Sequence, residues 1–77
     1  MVVVGNLPFS TAPEDVRGFF HGFKDIHDIV VFYQPNGIFC DGTALVHFKD
    51  SEDAFRATLE RNLHFLNGRC LNLTHLG

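Results

Sequence analysis

Thr43-Ala44-Leu45-Val46-His47-Phe48-Lys49 alternates with a period of two. Ala44, Val46 and Phe48 fall on one side of an extended backbone, and Thr43, Leu45, His47 and Lys49 on the other, the pattern of a strand covered on one face. Just upstream, Ile26, Ile29, Val31 and Tyr33 mark a second extended run. It is closed by Pro35-Asn36-Gly37, a turn signal because Asn and Gly tolerate positive φ. The two runs predict a hairpin, with Ile38 and Phe39 on its connection.

Working outward, Asp50 or Ser51 is placed to cap a helix that carries Glu52 and Asp53 in its first turn, where the helix dipole favours negative charge. Ala54, Ala57 and Thr58 are its small inward residues. Asn67-Gly68 then breaks the chain before a last strand, Cys70 to Thr74, in which Leu71 and Leu73 alternate. At the other end, the β-branched Val2, Val3 and Val4 predict a first strand that Gly5, Asn6 and Pro8 terminate. Thr11-Ala12-Pro13-Glu14 reads as a capping box opening a helix, with Val16, Phe19, Phe20 and Phe23 on one stripe and an end near Gly22.

The order is therefore βαββαβ. Two split β-α-β halves with right-handed crossovers give an α+β, ferredoxin-like sandwich: a four-stranded antiparallel sheet in order 4-1-3-2 with both helices on one face. The expected core is Val2, Val4, Phe19, Phe20, Phe23, Ile29, Val31, Ala44, Val46, Phe48, Ala54, Leu71 and Leu73. The other sheet face stays uncovered and presents Val3, Val30, Phe32, Thr43, Leu45, His47 and Asn72.

Seventy-seven residues fit one domain, 1–77, and 45% hydrophobic residues with nine Phe supply enough bulk for a core. A chain that starts inside one strand and stops just past another reads as one domain of a longer protein. No apolar stretch approaches the roughly 20 residues a membrane span requires, and no signal peptide is visible. Six Lys and Arg against nine Asp and Glu leave a net charge of -3, the wrong sign for affinity built mainly on phosphate neutralisation. Cys40 and Cys70 lie at opposite sides of the predicted sheet, so free thiols are expected. His21, His27, His47, His64 and His75 share no metal-ligand spacing with a Cys, Asp or Glu. No nucleotide-binding loop and no nucleophile with a base occupies a predicted cleft, so neither a cofactor, a metal nor catalysis is expected.

Two blocks resemble the RNA recognition motif family, and the likeness runs from Val2 to Leu73. Val2-Val3-Val4-Gly5-Asn6-Leu7 is similar to its first-strand motif, and Asp41-Gly42-Thr43-Ala44-Leu45-Val46-His47-Phe48 to its third-strand motif. Gly42, Ala44, Val46 and Phe48 agree with the pattern. Val3, Thr43 and Leu45 stand where the family carries stacking aromatics, and Asp41 stands where it carries a basic residue. Leu7-Pro8-Phe9, Glu14-Asp15-Val16 and Phe19-Phe20 narrow the resemblance to the quasi-RRM type, typified by the hnRNP F/H proteins and related multi-RRM proteins. Members of that group engage G-rich single strands through loops. Strands 1 and 2 run the same way and strand 4 starts where they finish, so the three loops concerned meet at one end.

The resemblance assigns Phe9 to the aromatic of the first loop and Arg69 to an Arg that opens strand 4. Gly5 and Cys70 replace an Arg and a Tyr of the group. Asn6, Ile38 and Phe39 complete the candidate RNA-binding set. Each has a plain alternative: Phe9 as a peg against the first helix, Arg69 as a solvated surface charge, Phe32 and Phe39 as an apolar patch for a protein. The expected function is weak, noncatalytic binding of single-stranded RNA by a monomeric domain, aided by neighbouring domains. The family likeness implies a nuclear or nucleocytoplasmic setting. The alternative is a protein-interaction module that uses the apolar sheet face.

Overall fold

Residues 1–76 are described by a computed structural model. The elements run β1 (Val2–Gly5), α1 (Pro13–Phe19), β2 (Ile26–Tyr33), β3 (Cys40–Phe48), α2 (Ser51–Arg61), β4 (Phe65–Leu66), β5 (Arg69–Cys70) and β6 (Asn72–His75). The β-branched valine run suits a pleated, half-buried surface, and β1 takes a central place between β3 and β6. Val2 and Val4 lie opposite Val46 and Ala44 of β3, and opposite His75 and Leu73 of β6. The main sheet is ordered β2-β3-β1-β6, all antiparallel between neighbours. With β6 as the fourth long strand, this is the expected 4-1-3-2 order read from the other edge.

Val16 and Phe20 from the first helical segment and Ala54 and Ala57 from α2 are buried in one cluster with Val2, Val4, Ala44 and Val46. Both helices thus cover the same face. Phe20 and Phe23 meet Phe48 edge-to-face, with ring centroids 5.7 and 6.3 Å apart, the arrangement that aligns a ring's positive edge with its neighbour's negative face. Leu7, Val16, Ile26, Cys40 and Ala57 join the expected core, while Phe19 and Ile29 sit at its margin.

Four local readings need correction. The α1 cap is not Thr11 with Glu14. Ala12 is the N-cap, and the Asp15 carboxylate accepts from its backbone N at 2.9 Å, so only the returning half of a capping box forms. Thr11 is buried and donates to the Pro8 carbonyl at 2.6 Å, which removes it from capping. Second, α1 gives way after Phe19 to tighter turns, His21 N to Gly18 O and Phe23 N to Phe20 O, and Gly22 at φ 92° releases the chain. Third, β3 begins at Cys40, three residues before the expected Thr43.

The fourth concerns the last strand. Cys70 does not open it, because Arg69 and Cys70 pair with Leu66 and Phe65 in a small hairpin. Its two-residue loop, Asn67 and Gly68 at φ 48° and 86°, has the handedness that matches strand twist. Leu63 N then bonds Leu71 O and Leu71 N bonds His64 O, both at 2.9 Å, which occupies the backbone of Leu71 before β6 enters the main sheet. The cap of α2 agrees with expectation: the Asp50 Oδ1 accepts from Glu52 N at 2.9 Å.

Candidate functional site

Two backbone bonds fasten the loop after β1 to the start of β3: Leu7 N to Gly42 O and Cys40 N to Phe9 O, each 2.9 Å. On the other side, Asn6 ties the same loop to β5. Its Nδ2 donates to the Cys70 carbonyl at 2.9 Å, and it receives Arg69 twice, Nε on its carbonyl at 3.2 Å and Nη2 on its Oδ1 at 2.6 Å. Asn6 adopts φ 65°, a left-handed conformation that Asn tolerates better than most residues, and this turn aims its amide across the gap. The three segments therefore meet at one rim of the sheet.

Phe9 is 58% exposed, so it is not a peg under α1, and Ile38 and Phe39 beside it are also exposed. Bonds from Ile38 N and Phe39 N to the Asn36 Oδ1, and from Gln34 N to the Phe39 carbonyl, shape the hairpin end that presents them. Arg69 is not loosely solvated: its two bonds fix the guanidinium, while Nη1 makes none among the described residues. Of the six Lys and Arg, Arg69 is the one at this rim. Arg17 lies in α1, Lys24 just before β2, Lys49 just after β3, Arg56 pairs with Asp53 and Glu60 on α2, and Arg61 donates to His21 O.

On the uncovered face, Val30, Leu45, Val3 and Thr74 stand side by side across the four strands. Val30 and Phe32 are 42% and 43% exposed. Thr43 is half-buried and His47 and Asn72 are exposed. This row of Val30, Leu45, Val3 and Thr74 carries no Lys or Arg. Asp41, at the place of a basic residue, turns its carboxylate onto Thr43 N at 2.9 Å, closing the irregular start of β3 where Gly42 adopts φ 100°. That face offers apolar area and little charge.

Sequence reasoning missed His27. A register shift between Ile26 and Asp28 inserts one extra residue in β2 and brings His27 against His47, edge-to-face with ring centroids 5.2 Å apart. A signal was available, because Ile26 and Ile29, both turned toward the core, are separated by an odd number of positions. Strict alternation cannot place both there without a bulge. Cys40 and Cys70 are free thiols, as expected. Cys40 Sγ accepts from Gly42 N at 3.2 Å and Cys70 Sγ donates to Leu63 O at 3.2 Å.

Residues 2–72 match the family model described as the RNA recognition motif. Among solved structures, the second RRM domain of the yeast poly(U)-binding protein Pub1 superposes with a TM-score of 0.86 at 25% identity, covering 99% of this chain and 92% of that one. The RRM of Rna15 with bound RNA (GU) gives 0.85 at 20% identity, with 99% and 81% covered. RNA recognition domains 1 and 2 of Sex-lethal from Drosophila melanogaster give 0.87 at 18% identity, with 99% and 48% covered. With a sheet whose uncovered face and loop rim stand as described, and a match over nearly its whole length, the chain belongs to the RNA recognition motif family.

Proposed function

We propose that this domain binds single-stranded RNA weakly and without catalysis, at the loop rim and not on an aromatic sheet platform. The observation that carries the reading is the rim itself: the Asn6–Arg69 bonds join the loop after β1 to β5, the Leu7–Gly42 and Cys40–Phe9 bonds join it to the start of β3, and Phe9, Ile38, Phe39 and Arg69 stay exposed there. Exposed rings stack on unpaired bases, and Arg supplies a phosphate or base-edge contact. Membership of the family and likeness to a poly(U)-binding domain support RNA as the ligand. The quasi-RRM resemblance of Leu7-Pro8-Phe9 supports G-rich strands, a place among further domains of a longer protein, and a nuclear or nucleocytoplasmic setting. A net charge of -3 supports weakness, offset when linked domains hold the same strand.

The test is an amide-shift titration of the labelled domain with a short G-rich RNA and an unrelated RNA. Shifts confined to Asn6, Phe9, the Gly37 to Cys40 segment and Arg69 are expected. No movement at high micromolar RNA refutes the reading and favours the second one, a protein contact on the sheet face. That reading rests on the uncharged apolar row of Val3, Val30 and Leu45.

A further inference from the structure

His27 and His47 make a pair that neither the rim nor the apolar row uses. The register shift in β2 sets His27 and Asp28 together opposite His47 of β3, and a bulge of this kind re-aims a side chain that plain alternation would turn away. Both histidines are exposed, and their rings stand edge-to-face with centroids 5.2 Å apart and planes 78° from each other. The pair sits where β2 begins and β3 ends. Ile26 pairs with Phe48 there, whereas Tyr33 pairs with Cys40 at the rim, so the length of the hairpin separates the pair from the candidate RNA site.

Two imidazoles on one metal ion hold their ring centres at a separation set by bond length and ligand angle. Metal–nitrogen bonds of about 2.0–2.1 Å put the centres about 5.2 Å apart at a tetrahedral angle and about 4.5 Å apart at a right angle. The observed spacing fits the tetrahedral case, which is the geometry of zinc. Because both side chains are exposed, rotation about χ2 turns a ring nitrogen of each toward a common point and leaves the ring centres in place. The surrounding charge does not oppose a cation: within three residues of either histidine stand Lys24 and Lys49 against Asp25, Asp28 and Asp50. No group of three His, Cys, Asp or Glu able to hold a metal forms among the described residues, so the chain supplies two ligands and water the rest.

We infer that His27 and His47 form a zinc site, a clip across the open end of the β2–β3 hairpin. It holds the edge strand β2 at the end that has no turn to fasten it. The site is independent of the RNA reading.

The experiment titrates the labelled domain, its thiols reduced, with zinc chloride and follows the histidine ring signals. Those of His27 and His47 are expected to move together at Zn²⁺ up to about 1 mM. His27→Asn and His47→Asn should each weaken binding about tenfold or more, since a single imidazole loses the advantage of a second ligand already in place. Both positions are exposed, so these variants should keep the fold. His21→Asn and His64→Asn should bind as wild type does. Co²⁺ in place of zinc should develop the strong visible absorption of a four-coordinate ion. Silence of both rings up to about 1 mM Zn²⁺, shifts centred instead on Cys40, Cys70, His21 or His64, unchanged affinity in either of the first two variants, or a six-coordinate cobalt spectrum would each overturn the proposal.

Discussion

Asn6 carries more of the structure than a loop residue usually does. It combines φ 65° with bonds to Cys70 and Arg69, so each substitution removes a separable part. Asn6→Gly keeps the backbone conformation and loses the bonds, whereas Asn6→Ala loses both. Urea unfolding should show the Ala variant less stable than wild type by about 1–2 kcal/mol and the Gly variant between them. Phe9 is the opposite case, since its exposed ring contributes little burial. Phe9→Ala should leave the unfolding midpoint nearly unchanged and cost RNA affinity about 1–3 kcal/mol, about 5- to 150-fold, by titration. Unaltered RNA binding in a folded Phe9→Ala domain would remove the ring from the site. The exposure of Phe9 was not readable from Pro-Phe after a strand, which suits a packing peg equally well; the family resemblance singled the ring out. The Asn6–Arg69 partnership was not readable either, because it joins residues 63 positions apart.

Among elements, β6 shows how an edge strand is finished. Its Leu73 N is taken by the Asn62 side chain at 2.9 Å, and the Leu63-His64 segment occupies the backbone of Leu71. Such covering blunts an edge that would otherwise invite pairing with another chain. His75, beneath Phe55 at 5.8 Å between ring centroids, leaves its Nε2 buried without a partner. A buried unsatisfied nitrogen costs free energy, so His75→Leu should raise stability by about 1 kcal/mol in denaturant unfolding. For α1, the cap lies at Ala12 and Asp15 because Thr11 is drawn inward. Asp15→Ala should therefore destabilise by about 1 kcal/mol, and Glu14→Ala by little. Thr-x-x-Glu is the register the sequence favours, since Ala12 has no side-chain acceptor, and the burial of Thr11 with its bond to Pro8 O displaces it.

For the whole molecule, the distribution of charge sets two expectations. The neighbouring Asp25 carboxyl raises the pKa of Asp53 above the ordinary 3.8, with Arg56 opposing it. The sign follows from proton counts. Between 3.8 and the raised value the folded chain holds a proton that the unfolded chain has lost, so this pair makes stability fall as pH rises through that window. Asp25→Asn should then melt higher than wild type at pH 7 and level with it at pH 3. The second expectation concerns salt: with Arg69 alone at the rim, RNA affinity should change by about one unit of log K or less per unit of log salt. A steep slope would show that phosphates are met elsewhere.

Local chemistry was sufficient for the strand and helix order, the sheet topology and most of the core. Alternation in Ala44, Val46 and Phe48, the valine run and the helical stripe each depend on near neighbours, and together they leave one chirally allowed arrangement. Tertiary structure alone decided the pairing of His27 with His47 across the bulge, the hairpin that detaches Arg69 and Cys70 from the last strand, and the lock between Asn6 and Arg69. Each depends on backbone groups finding partners across the fold, and a hydrogen bond between distant segments leaves no periodicity in the chain that makes it.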